Sequence, residues 1–211
     1  MSGLILKDIL VLRKTLRSYV FFLLFYLFMA ILGLFSISFV TSFIQVIVMI
    51  LPISAFAYDE QTKWDRYAMT LPLGRRRVVT ARYLFVLLAI VSAALFALVS
   101  CILLSILQKG LLMENLTTAS VALGLGLLVA DLNLPMSYAM GPERARPYLY
   151  ATIFIPFLAL VGAAKLGWLD FLDHVSPPAI IALSAFIPLL PLLGFPISYL
   201  VSCRVVEQKE Y

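Results

Sequence analysis

One histidine, two cysteines and very little charge are all that this chain of 211 residues offers to aqueous chemistry. Asp, Glu, Lys and Arg make up 13% of it, against about 25% in an ordinary soluble domain. Each scarcity removes a class of function. Cys101 and Cys203 sit in apolar runs, where burial disfavours the thiolate, so neither a disulfide nor a thiol nucleophile is expected. His174 stands alone in a polar loop, which argues against a metal site and against a histidine-based hydrolase in the membrane. No Gly-x-x-x-x-Gly-Lys-Ser/Thr run occurs, so the phosphate cradle of nucleotide hydrolysis is missing and no cofactor is assigned to the chain itself.

What remains is 63% hydrophobic, with mean hydropathy +1.05. Residues 18–58 contain no Asp, Glu, Lys, Arg or His. As one helix they would extend about 60 Å, roughly twice the ~30 Å hydrocarbon core of a bilayer, so they must fold back. The turn is expected near 36–42, where Ser36, Ser38, Thr41 and Ser42 supply polar partners. Backbone groups in lipid are satisfied only within the chain, so the spans are helices. Six are expected, over 18–35, 39–57, 83–107, 117–140, 148–164 and 178–202. The last is interrupted by Pro188, Pro191 and Pro196 with Gly194 nearby. The predicted fold class is an all-α polytopic membrane protein, a single transmembrane domain over 1–211. The basic first 17 residues are long for the head of a signal peptide and no small-residue cleavage site follows, so they are read as retained.

An even number of spans places both termini on one side. Fourteen of the sixteen Lys and Arg then fall on that side, and only Lys109 and Lys165 face the other. Positive residues in short loops stay in the cytoplasm, so both termini are expected there. The net charge of +5 is a product of this topology and implies no nucleic-acid partner.

Within residues 1–17, Ile5, Ile9, Leu12 and Leu16 form one apolar stripe, with Lys7 and Lys14 opposite. This is the pattern of an interfacial elbow helix leading into the first span; a plain positive-inside anchor is the simpler reading. Lys7, Lys14, Arg17, Arg76, Arg77 and Arg82 are the candidate anchors at the lipid headgroups.

The densest polar segment is 58–82. Asp59 is expected to cap a short helix there, with Glu60 favoured by the dipole at its start. Trp64, Tyr67 or Ala68, and Leu71 recur at helical spacing, Lys63 and Arg66 point elsewhere, and Pro72 and Gly74 end the run. Exposed Trp, Tyr and Arg on a short rigid helix suit a docking knob. A charged loop that merely fixes topology is the plainer alternative, and belt placement at the interface is the plainer role of Trp64.

The run Lys63-Trp64-Asp65-Arg66-Tyr67, followed by Thr70-Leu71-Pro72-Leu73-Gly74-Arg75 and Val78-Val79, resembles a signature of ABC-2 type transporter permeases. Within them it is similar to the subgroup that includes phenol-soluble-modulin exporter permeases. Leu134-Pro135-Met136 and Met140-Gly141-Pro142-Glu143-Arg144-Ala145-Arg146 resemble a second stretch of that subgroup, with Met-Gly-Pro in place of the usual aromatic-Gly pair. The resemblance implies a type V exporter-like permease architecture: an elbow, six spans, and a coupling helix between spans two and three. Asp59, Glu60, Lys63, Trp64, Asp65, Arg66, Tyr67, Leu71, Pro72 and Arg75 would dock on a separate ABC ATPase subunit, present in two copies and carrying ATP and Mg. Gly141, Glu143, Arg144 and Arg146 would form a second cytoplasmic contact. It further implies a second permease, identical or paralogous, a bacterial plasma-membrane location, and export of an amphipathic peptide. Self-protection against an antimicrobial peptide would use the same machine. Residues 165–177 read as a short amphipathic helix at the outer interface, resembling the extracellular helices of these permeases.

Asp131 is the one charge inside a span, and charge at that depth costs at least ~2.5–3.5 kcal/mol. Three roles are open for it: lining a substrate route together with Asn133, pairing with an arginine near the rim, or relaying a proton. Gly124, Gly126 and Gly162 suit close helix contacts. An ion-coupled carrier would need more ionisable groups in the membrane than this one. A non-transporting membrane scaffold is the remaining alternative.

Overall fold

The structure is a computed structural model, and it describes residues 2–64, 67–68, 74–108, 112–168 and 186–208. Among these residues there are seven long helices and no strand: α1 (Ser2–Val11), α2 (Arg13–Ile31), α3 (Ile37–Gln61), α4 (Arg75–Gln108), α5 (Leu112–Met140), α6 (Pro142–Lys165) and α7 (Leu189–Gln208). Helices α2 to α7 are long and apolar enough to cross a membrane, as the charge-free runs require. The helices begin earlier or end later than the charge-free runs, because a helix does not stop where its polar ends begin. The outer amphipathic helix expected over 165–177 lies mostly outside the described residues, as does the first part of the sixth predicted span.

The turn between α2 and α3 falls before the hydroxyl-rich stretch assigned to it. Gly33 takes φ +76°, its amide donates to the Ala30 carbonyl at 3.0 Å, and the Leu34 amide reaches the Met29 carbonyl at 3.1 Å. This is the left-handed helix stop that glycine permits at least cost. The hydroxyls lie beyond it, inside or at the start of α3, and bond to their own helix: Thr41 to Ser38 O at 3.0 Å and Ser42 to Ser38 O at 2.7 Å.

Helix α5 is the hub. It packs along α3 and α7 and also against α4 and α6, whereas α6, among the described residues, packs mainly on α5 and, more lightly, on α3. Small residues make this possible: Ala119, Ala122, Gly124, Gly126 and Ala130 are all buried on α5. A Cβ built at Gly124 would stand 2.7 Å from Pro188 Cα, and one at Gly126 would stand 3.2 Å from the Gln45 carbonyl oxygen. Gly162 instead has open space around it among the described residues of the single chain. In lipid, such close approach is what drives helix association, since apolar side chains gain little by leaving the hydrocarbon for one another.

Two apolar clusters fill the bundle. One, near the α2–α3 turn, gathers Ala30, Val40, Ile44, Ala97, Cys101, Leu104 and Ala119. The other, at the end holding both termini, includes Leu12, Leu51, Phe56, Val79, Phe85, Leu134 and Val206. Ile9, Leu12 and Leu16 of the predicted stripe all belong to it, so the stripe of the first 17 residues packs on the bundle. The outward faces of α2 and α6 expose Phe21, Phe22, Phe25, Phe154 and Phe157, the arrangement of lipid-facing surfaces.

Gly124→Leu is expected to destabilise the protein by about 1–3 kcal/mol, because the added side chain must displace backbone at Pro188. Gly162→Ala is expected to leave stability unchanged. Thermal unfolding of both variants in detergent checks the contrast.

Candidate functional site

Helix α3 carries no breaker between Pro52 and Thr62, so it runs on through the polar residues to Gln61. Asp59 therefore sits in the last turn of α3 and caps no new helix, which corrects the capping role read from sequence. The actual stop is at Lys63, with φ +53°; its amide donates to the Glu60 carbonyl at 3.1 Å, and the Thr62 amide to that of Tyr58 at 3.1 Å.

This extra turn brings Asp59 between two cations. Lys7 Nζ on α1 donates to Asp59 Oδ1 at 2.7 Å, and Arg82 Nη2 on α4 pairs with Asp59 Oδ2. Asp8 closes the ring: its Oδ1 lies 2.9 Å from Lys7 Nζ and its Oδ2 lies 3.0 Å from Arg82 Nη1. The last contact is one of charge, since Nη1 has no aligned hydrogen bond. Asp8, Asp59 and Arg82 are each only 5–6% exposed. Two acids and two bases share both oxygens of each acid, so the ring is neutral, the condition under which buried charge is tolerated. Aromatic rings cover it. The Arg82 guanidinium lies 4.9 Å over Phe56, which meets Tyr138 edge-on at 4.8 Å.

Lys7 also faces outward along the chain. Its ammonium stands 4.5 Å from the centroid of the Trp64 ring, and Trp64 touches Tyr67 at 5.3 Å. Tyr67 is exposed while Ala68 is buried, so the segment presents one side and packs the other. Asp65, Arg66, Leu71 and Pro72, the rest of the expected docking set, lie outside the described residues.

The remaining predicted residues divide clearly. Glu60 is exposed and lies beside Gly141, whose Cβ would be 3.6 Å from Glu60 Oε1. The polar segment 58–82 and the stretch around Gly141 thus meet at one end of the bundle. Gly141, at φ +85°, precedes α6; Glu143, Arg144 and Arg146 are exposed on its first turns, with Pro142 and Ala145 buried beneath them. Lys14, Arg17 and Arg77 are exposed. Lys7 and Arg82 are not headgroup anchors in the structure, because both are committed to the ion ring. Arg75 Nη1 donates to the Glu207 carbonyl at 2.9 Å, and Arg76 pairs with the Glu207 carboxylate. These two arginines hold the C-terminal end of α7, where free carbonyls favour cations.

Asp131 and Asn133 are buried on α5. Asn133 Oδ1 accepts from Ser137 at 2.8 Å. The Asp131 backbone carbonyl accepts from Ser198 Oγ at 2.6 Å, and Ser198 and Ser202 both bond to the Tyr83 hydroxyl, at 2.7 and 2.8 Å. No arginine pairs with the Asp131 carboxylate among the described residues, and Arg66, one of the arginines near the rim, lies outside them.

Sequence reasoning missed Asp8, Glu207 and the Tyr83 hydroxyl. Asp8 had a usable signal: three residues after Ile5 and four before Leu12, it falls on the apolar stripe, where an acid requires a buried partner. None of these groups forms a nucleophile–base pair. The arrangement ties α1, the end of α3 and the start of α4 to the aromatic head of the exposed segment.

Asp59→Asn leaves two cations, the buried Arg82 and the half-buried Lys7, facing one acid and is expected to cost about 3–5 kcal/mol. Adding Lys7→Met restores neutrality and should recover part of that loss. Arg76→Ala, at an exposed pair, should leave stability unchanged. Unfolding midpoints of the four proteins in one detergent check the order.

The sequence model of the family described as "ABC-2 family transporter protein" matches residues 3–207, from α1 to the penultimate residue of α7. No curated protein and no solved structure matches the chain. Six membrane-crossing helices and a match over nearly the whole length agree, and the chain belongs to the ABC-2 family of transporter proteins, as a multi-pass membrane component of an ABC transporter.

Proposed function

We propose that this permease exports an amphipathic peptide or another apolar compound, driven by ATP hydrolysed on a separate ABC ATPase subunit. The single observation that carries the reading is the contact of Lys7 with Trp64 above the buried ion ring. A segment that only set topology would need no attachment to three helices at once. One that receives a push needs such an attachment, because force applied at an unanchored loop is lost in loop motion.

In this reading two ATPase subunits engage two permeases, identical or paralogous, through 58–82 and the start of α6. ATP draws the ATPase subunits together and displaces Trp64 and its neighbours. The ring passes that displacement to α1, α3 and α4, and α5 carries it to α6 and α7, the helices packed on it. The positive-inside distribution of Lys and Arg supports a cytoplasmic position for this end and for both termini. The peptide cargo and the bacterial plasma membrane rest on the resemblance of 63–79 and 134–146 to peptide-exporting permeases.

Co-purification with its ABC ATPase subunit tests the reading. Trp64→Ala is expected to lose most of the complex at equal membrane insertion. Unchanged stoichiometry and unchanged ATPase activity would refute the docking role.

A further inference from the structure

The polar contacts around Asp131 leave its carboxylate out. Ser198 is used by the Asp131 backbone carbonyl and by Tyr83, and Tyr83 is shared with Ser202. Both carboxylate oxygens are buried without a hydrogen-bond partner among the described residues, and the residue is 6% exposed. An unpaired carboxylate at this depth is unfavourable unless something compensates it.

The carboxylate borders a cleft of about 520 Å³ between α5 and α7. Leu128, Leu132, Leu190, Ile197 and Val201 supply most of its walls. Gly194 lies against the acid, and a Cβ there would stand 3.2 Å from Asp131 Oδ2. A helix thus crosses the carboxylate at the one residue that puts no side chain over it. Leu132, Leu190, Ile197 and Val201 are themselves exposed, so the cleft opens on the flank of the bundle. Asp131 lies about 14 Å along α5 from Met140, at ~1.5 Å per residue, well inside the span.

We propose that this cleft binds lipophilic cations, compounds with one positive charge on an apolar body, entering sideways from the bilayer. Charge complementarity and the aliphatic walls define the class. An anion would meet an uncompensated carboxylate. A zwitterionic lipid headgroup would bring a phosphate for which the cleft has, among the described residues, no cation and no free hydroxyl donor. The inference rests on the permease reading above and names the substrate class of that permease.

The test is equilibrium binding of radiolabelled tetraphenylphosphonium to the full-length protein in phosphatidylcholine nanodiscs. Tetraphenylborate serves as the competitor of similar shape and opposite charge. Saturable binding of the cation, without competition by the anion, is expected. Asp131→Asn should weaken it by about tenfold or more, and Asp131→Glu should retain it. Gly194→Val should also weaken it, by filling the space beside an intact carboxylate. Equal binding by Asp131→Asn, equal competition by the anion, or full binding by Gly194→Val would each overturn the site. If the ATPase complex forms through Trp64 and no cation binds, the site is wrong and the permease reading stands. If carboxylate-dependent binding is found and no complex forms, the docking reading fails while the site stands.

Discussion

Four charges that cancel within a few ångströms are the constraint around which the rest of this protein is arranged. Lys7, Asp8, Asp59 and Arg82 come from three helices and meet where apolar packing alone would slide. Apolar contacts in a bilayer are nearly interchangeable with contacts to lipid, so they set density more than position. A ring of ion pairs sets position, because any displacement leaves a buried charge without its partner. The end of the bundle that carries the polar segment is therefore fixed by charge, and the opposite end by small residues and aromatic packing around the α2–α3 turn.

The same logic explains why α5 lies at the centre. Its buried face carries five Gly and Ala residues from Ala119 to Ala130, with Asp131, Asn133 and Ser137 toward the charged end. Small residues let α3 and α7 approach closely, and the polar groups then find partners across the short gap, as Ser198 does with the Asp131 carbonyl. Motion imposed on α3 reaches α6 mainly through α5, whereas α7 is also packed directly on α4. The unpaired Asp131 carboxylate is the exception in this network, and the structure leaves space beside it.

Much of the fold was legible from where charge is absent. Blocks of uncharged residues separated by basic loops gave six spans, and the spacing of Ile5, Ile9, Leu12 and Leu16 gave the helix before them. The turn near Gly33 was misplaced because hydroxyls were weighed above a glycine, although hydroxyls in a membrane helix bond readily to their own backbone. Asp59 was misread for a related reason: at a helix end a carboxylate looks like a cap until its partners are known. Its partners lie 52 residues before it and 23 after it, and no local pattern encodes that. Lys7 and Arg82 looked like headgroup anchors because a sequence shows which residues are cationic and not which acids they face. The motif residues around Trp64 and Gly141 led to the family, and the fold adds that Glu60 and Gly141 lie side by side.

The central claim is that the charged ring moves as one body when the ATPase partner cycles. Spin labels at Leu6→Cys and Glu60→Cys, both exposed positions flanking the ring, can report on it in a background lacking Cys101 and Cys203. Distances are to be measured in the assembled transporter with and without trapped nucleotide. The account predicts an unchanged separation between the two labels within one chain, while the Glu60 labels of the two permeases change their distance from each other. A shift of the Leu6–Glu60 separation with nucleotide, or no change in either distance, would contradict it.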